Sequence, residues 1–144
     1  MEKARILIIE DDPDWRGILV DALEEEYNVQ TAANAEEGMA ALKSSGLQLV
    51  LMDLNLVDEE GTNREGLRLL SFIGLTNPCA RAIVLTAHSG HQREAFRASY
   101  GVFDYLLKQE FDQSTFLRVV RGAIQEALDC EKGKEERPAY PEYL

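Results

Sequence analysis

Cysteine is scarce in this chain, with Cys79 and Cys130 the two examples in 144 residues. Two cysteines cannot build a disulfide-rich scaffold or a cysteine-rich metal site, and such sparing use suits a reducing compartment. Both are read as small apolar side chains, buried or partly buried. Long apolar runs are also lacking: none approaches the roughly 18 residues that cross a bilayer. Met1 to Arg5 lead into a short apolar run without a signal-peptide cleavage pattern. A cytoplasmic protein with no membrane association is therefore expected. Basic residues are few, 15 Lys and Arg against 26 Asp and Glu. The resulting net charge of -11 repels duplex phosphates, so direct nucleic-acid binding is not expected. No P-loop pattern G-x-x-x-x-G-K-[ST] occurs, and there is no internal repeat.

What is present suits one globular domain, with 45% hydrophobic and 28% charged residues. The charge is uneven. Residues 1 to 75 hold 6 basic and 16 acidic side chains, whereas residues 76 to 144 hold 9 and 10. Strand-like and helix-like segments alternate. Arg5 to Ile9 is a short β-branched run, and after Pro13 the residues Trp15, Ile18, Leu19, Ala22 and Leu23 recur at helical spacing. Trp15 is read as core. Asn28 to Ala33 reads as a second strand, followed by Asn34 as the N-cap of a helix to about Ser44, with Glu36 and Glu37 in its first turn. Leu47 to Met52 is almost wholly apolar, as a central strand covered on both faces must be. Leu67, Leu70 and Ile73 mark a third helix closed by Asn77-Pro78. Ala82 to Leu85 follows as strand four, residues 91 to 99 as a short polar helix, and Phe103 to Leu107 as strand five. Leu117, Val120, Ile124 and Leu128 line a final helix. This is a (βα)5 pattern, which implies a doubly wound five-stranded parallel sheet in an α/β/α sandwich. The domain is expected over residues 1 to 128, with 129 to 144 a charged, frayed tail.

In such a sheet ligands collect at the carboxyl ends of the strands. Strand one ends in Glu10-Asp11-Asp12, strand three in Asp53, strand four in Thr86 and strand five in Lys108. Converging carboxylates repel one another unless a cation lies between them. Few carboxylates, without His or Cys, favour Mg²⁺ over Ca²⁺ and disfavour Zn²⁺. The Lys108 ammonium and the Thr86 hydroxyl supply groups that attract a phosphoryl group. These parts together suggest phosphoryl transfer onto an Asp.

The runs Ile6 to Pro13, Leu51-Met52-Asp53-Leu54-Asn55, Leu85-Thr86-Ala87 and Asp104-Tyr105-Leu106-Leu107-Lys108 resemble receiver domains of two-component response regulators, the CheY-like superfamily. The likeness covers about residues 4 to 128. It implies Asp53 as the phospho-acceptor, with Asp11, Asp53 and the Asn55 carbonyl oxygen holding Mg²⁺ and Glu10 acting through water. Asp12 falls one place beyond the acidic pair and is assigned to helix capping. Thr86 and Lys108 would contact the phosphoryl group, and Tyr105 would be the switch aromatic. The implied phosphoryl donor is a histidine kinase or phosphotransfer protein. A downstream protein would read the face made by the fourth helix, fifth strand and fifth helix, and a homodimer is compatible. The chain is then no enzyme beyond catalysing its own phosphorylation and dephosphorylation. It would act as a stand-alone receiver, a relay shuttle, or a domain of a longer protein.

Several features depart from the family pattern. Gln109 stands where Pro usually follows the Lys, Val57 stands where Pro follows the acceptor by four, and residues 58 to 66 form an acidic insertion. His88 occupies a place that influences dephosphorylation in the family. Arg93, Arg97, Arg118 and Arg121 are read as solvated faces or, together, a partner surface. A haloacid-dehalogenase-like phosphatase would need a second Asp where Asn55 stands. A flavodoxin-like FMN binder would need a Ser/Thr-rich loop in place of Glu10-Asp11-Asp12. The remaining rival is a receiver-like scaffold that signals by protein contact without phosphorylation.

Overall fold

The computed structural model describes residues 2–53, 65–87 and 100–142. Its elements are β1 (Arg5–Ile9), α1 (Pro13–Leu23), β2 (Asn28–Ala32), α2 (Ala35–Leu42), β3 (Leu49–Met52), α3 (Glu65–Thr76), β4 (Arg81–Thr86), β5 (Asp104–Leu107), a 3-10 turn (Lys108–Glu110) and α4 (Gln113–Glu131). The expected helix over residues 91 to 99 lies outside the described residues, so α4 corresponds to the final helix of the sequence pattern. All strands pair in parallel in the order β2-β1-β3-β4-β5.

Alternation along the buried strands divides the core in two. Leu7, Ile9, Val50, Met52 and Val84 face α2 and α3, where they meet Leu42, Leu70 and Ile73. Ile6, Ile8, Leu49, Leu51, Ile83 and Leu85 face the other way, against Leu19 and Leu23 of α1 and Phe116, Val120 and Ile124 of α4. The helices start where capping chemistry allows. Asn34 accepts from the Glu37 amide at 2.8 Å while the Glu37 carboxylate accepts from the Ala33 amide at 3.2 Å, a reciprocal arrangement of the capping-box kind. The exposed Asp112 carboxylate caps α4 by accepting from the Thr115 amide at 2.9 Å, and the same bonds hold its carboxyl below the usual carboxylate range. Asn77 ends α3 and also ties down the α2–β3 connection. Its side chain accepts from the Leu47 amide at 3.0 Å and donates to the Leu42 carbonyl at 3.2 Å.

The structure corrects the sequence reading at two places. Cys79 and Cys130 are not separate apolar side chains but a disulfide across 51 residues, with Cα atoms 5.6 Å apart. In the loop-entropy model, closing a loop of that length stabilises the fold by about 4 kcal/mol. The tail, in turn, is ordered as far as residue 142. Helix α4 runs past the expected boundary at 128 to Glu131, and Gly133, whose φ of 77° suits glycine, follows its C-cap Lys132. The Gly133 amide donates to the Cys130 carbonyl at 3.0 Å and the Lys134 amide to the Asp129 carbonyl at 2.8 Å, the bond pair of a Schellman ending. The chain then turns back as a strap. Arg81, buried at the start of β4, donates to the Glu136 carbonyl at 3.0 Å. Tyr140 donates to the Ala80 carbonyl at 2.6 Å, and Ser71 of α3 to the Pro141 carbonyl at 2.5 Å. Gly101 (φ 69°) lets the strap approach, since a Cβ there would lie 2.7 Å from the Ala139 carbonyl oxygen. A segment with no helical stripe therefore docks through one aromatic ring and backbone hydrogen bonds, neither of which has a periodic signature.

Burial lifts the Tyr140 phenol above its ordinary value, against the opposing pull of Arg81. Below about pH 10 the phenol is neutral in folded and unfolded chains alike. Above that pH the unfolded chain loses the proton first, so stability falls as pH rises. Denaturant titrations from about pH 9 to 12 should show a steeper loss for the wild type than for Tyr140→Phe; equal slopes would contradict the buried phenol.

Candidate functional site

Strand order brings the chemistry together. β1 and β3 are hydrogen-bonded neighbours, so Glu10 and Asp53, the first residues beyond their ends, lie side by side. The Asp53 amide still donates to the Ile9 carbonyl at 3.3 Å, which fixes the acid at the sheet's centre. Both residues are buried, at 2% and 3% exposure, whereas Asp11 is open to solvent. One carboxylate oxygen from each of Glu10, Asp11 and Asp53 lies within 4.8 Å of the others. Lys108 follows β5 and extends past the end of β4, placing Nζ 2.5 Å from Glu10 Oε1 and 3.0 Å from Asp53 Oδ2. Thr86 closes β4 and is fully buried. Sheet register puts it on the same face as Tyr105, since Thr86 pairs with Leu107 and Val84 with Tyr105.

Burial raises the Glu10 carboxyl to about 7, and the neighbouring Asp53 adds to that push against the opposing Lys108 ammonium. Burial alone would lower the Lys108 ammonium, but its bonds to Glu10 and Asp53 outweigh this and raise it. Three carboxylates against one ammonium leave formal negative charge among hard oxygen donors, one of them solvent-facing. This donor set fits a small divalent cation that retains waters.

The surroundings hold the acidic cluster in place. Asp12 caps α1 by accepting from the Asp14 amide at 2.9 Å, with Pro13 opening the helix. That is the capping role expected for it. Arg16 donates to the Glu10 carbonyl at 2.9 Å. Sequence reasoning missed the aromatic wall beside Lys108. The Trp15 ring lies 5.3 Å from Nζ and meets Phe111 edge-on at 5.4 Å, so Trp15 joins core to site. Its helical spacing signalled burial but not that neighbour. The Lys108–Gln109 peptide is trans, as are all described peptide bonds, and Lys108 to Glu110 form the 3-10 turn. The Tyr105 ring is buried at 3% exposure within the core on the α3 side. Arg121 pairs with Glu26 at 3.2 Å on the surface. Asn55, Val57, His88, Arg93, Arg97 and most of the 58 to 66 insertion lie outside the described residues.

The family model described as the response regulator receiver domain matches residues 6–121. The chain is 32% identical over 127 residues to an uncharacterized transcriptional regulatory protein, YkoG, of Bacillus subtilis, covering 88% of this chain and 53% of that one. It is 30% identical over 125 residues to the transcriptional regulatory protein GlrR of Escherichia coli, covering 86% of this chain and 27% of that one. Among solved structures, a CheY-like receiver domain protein from Methanospirillum hungatei superposes with a TM-score of 0.74 at 27% identity, over 89% of this chain and 98% of that one. The chain thus belongs to the response regulator receiver family, whose work is phosphorelay signalling in two-component systems. It spans about a quarter of the length of several curated relatives it matches.

Proposed function

We propose that Asp53 is the phospho-acceptor of this receiver and takes its phosphoryl group from a phosphohistidine donor on a histidine kinase or phosphotransfer protein. The observation that carries this reading is the convergence of buried Asp53 with Glu10, Asp11 and Lys108 at the carboxyl edge of the sheet. An Asp53 carboxylate oxygen attacks phosphorus, the bond from phosphorus to the donor nitrogen breaks, and an acyl phosphate forms. Lys108 and Thr86 meet the charge on the phosphoryl oxygens. Glu10, Asp11, Asp53 and the Asn55 carbonyl oxygen would hold Mg²⁺, which when bound offsets negative charge on the phosphoryl group. Thr86 and Tyr105, on one face of neighbouring strands, would carry the state of Asp53 to a downstream protein. Catalysis extends no further than the chain's own phosphorylation and dephosphorylation, and the setting is cytoplasmic. No described helix is long and apolar enough to cross a membrane.

Incubation with acetyl phosphate and Mg²⁺ tests this reading, and one added phosphoryl group per chain is expected by intact mass. No adduct at saturating donor would leave a receiver-like scaffold instead. Asp11→Ala should weaken Mg²⁺ binding at least about tenfold, read by fluorescence of the nearby Trp15. An unchanged titration would remove Asp11 from the metal site.

A further inference from the structure

The disulfide and the strap meet at one turn. Cys79 lies in the α3–β4 turn and Cys130 in the last turn of α4, immediately before the strap of residues 132 to 142. Two of the strap's three described side-chain anchors come from or reach the same turn: Arg81 donates to Glu136 and Tyr140 to Ala80. Arg81 also donates to the Cys79 carbonyl at 3.1 Å and reaches Glu126 of α4 at 3.4 Å. The covalent bond therefore fixes the helix end from which the strap departs against the turn on which it lands. In a reducing compartment such a bond is transient and redox-responsive rather than permanent.

We infer that Cys79 and Cys130 form a thiol–disulfide latch, closed by a low-molecular-weight disulfide such as oxidised glutathione, that sets whether the C-terminal strap is docked. Cys79 is the partly exposed member of the pair and Cys130 the buried one, so Cys79 makes the first attack. Its thiolate displaces one glutathione thiol and forms a mixed disulfide. The Cys130 thiolate then attacks the Cys79 sulfur and releases the second glutathione. Two protein thiols are oxidised and one glutathione disulfide is reduced to two thiols. In the reduced form Arg81, Tyr140 and Ser71 hold the strap alone, and it opens more often, uncovering the surface beside Gly74 and Gly101 against which Tyr140 and Ala139 pack. The cytoplasmic setting belongs to the functional reading above, but the latch does not need Asp53 chemistry.

The full chain is equilibrated in glutathione buffers of graded ratio, free thiols are counted by alkylation and mass, and amide exchange is followed over residues 133 to 142. Both thiols should be lost together, and strap amides should exchange on the order of tenfold more slowly in the oxidised form than in the reduced form. Cys79→Ser should match the reduced wild type even with the oxidant present. Strap exchange that is equal in oxidised and reduced wild type, or thiols that persist in excess oxidised glutathione, would overturn the latch. Neither outcome bears on phosphorylation at Asp53.

Discussion

Asp53→Asn is expected to abolish phosphoryl incorporation from acetyl phosphate, with no adduct by intact mass where the wild type gains one. An amide is close in size to a carboxylate, but its oxygen is a poor nucleophile and carries no charge to offer a cation. The fold should tolerate the change, and the direction of the stability effect follows from the crowding of the two buried acids. Asp53 pushes the Glu10 carboxyl upward, so neutralising position 53 relieves a like-charge contact while forfeiting a 3.0 Å ion pair with Lys108. These effects oppose, and the unfolding free energy should stay within about 1 kcal/mol of wild type. Denaturant titration of the same variant checks this: unfolding within that range assigns the lost adduct to the missing acceptor and not to a lost fold.

Lys108→Ala should be damaging in both respects. Nζ bonds two buried carboxylates, and its removal leaves Glu10 without its cationic partner. Breaking a buried pair from one side costs about 3 to 5 kcal/mol. The cost is expected at the lower end because Glu10, already raised to about 7, relaxes by taking up a proton. Phosphorylation should slow by about a hundredfold or more, the usual result of removing one preorganised partner for developing charge. Stopped-flow quenching of Trp15, combined with mass analysis over time, would measure the rate. An undiminished rate in a folded variant would exclude Lys108 from contact with the phosphoryl group.

These residues were legible in the sequence because the apolar runs mark strand ends sharply. Ile6 to Ile9 and Leu49 to Met52 are buried on both faces, and the first charged residue after each necessarily stands at the sheet's edge. Lys108 is legible by the same rule, though its reach to both acids depends on strand order that no local pattern encodes. The caps at Asp12 and Asn34 are legible because capping is a local matter of two or three residues. The cysteine pairing, the Arg81 anchor and the strap were not legible. Their contacts join positions 51 to 70 residues apart, and a single aromatic side chain between prolines leaves no periodic trace. Trp15 falls between the two cases, since its helical spacing predicted burial while its position beside Lys108 depended on the 3-10 turn that also presents Phe111.

An acyl phosphate on Asp is reduced by borohydride to homoserine, so the acceptor can be identified by peptide sequencing after phosphorylation with acetyl phosphate and Mg²⁺. Homoserine at position 53, absent when acetyl phosphate is omitted, is the predicted result. Homoserine at position 11 or 12 instead, or none at all in a chain that has gained mass, would contradict Asp53 as the phospho-acceptor.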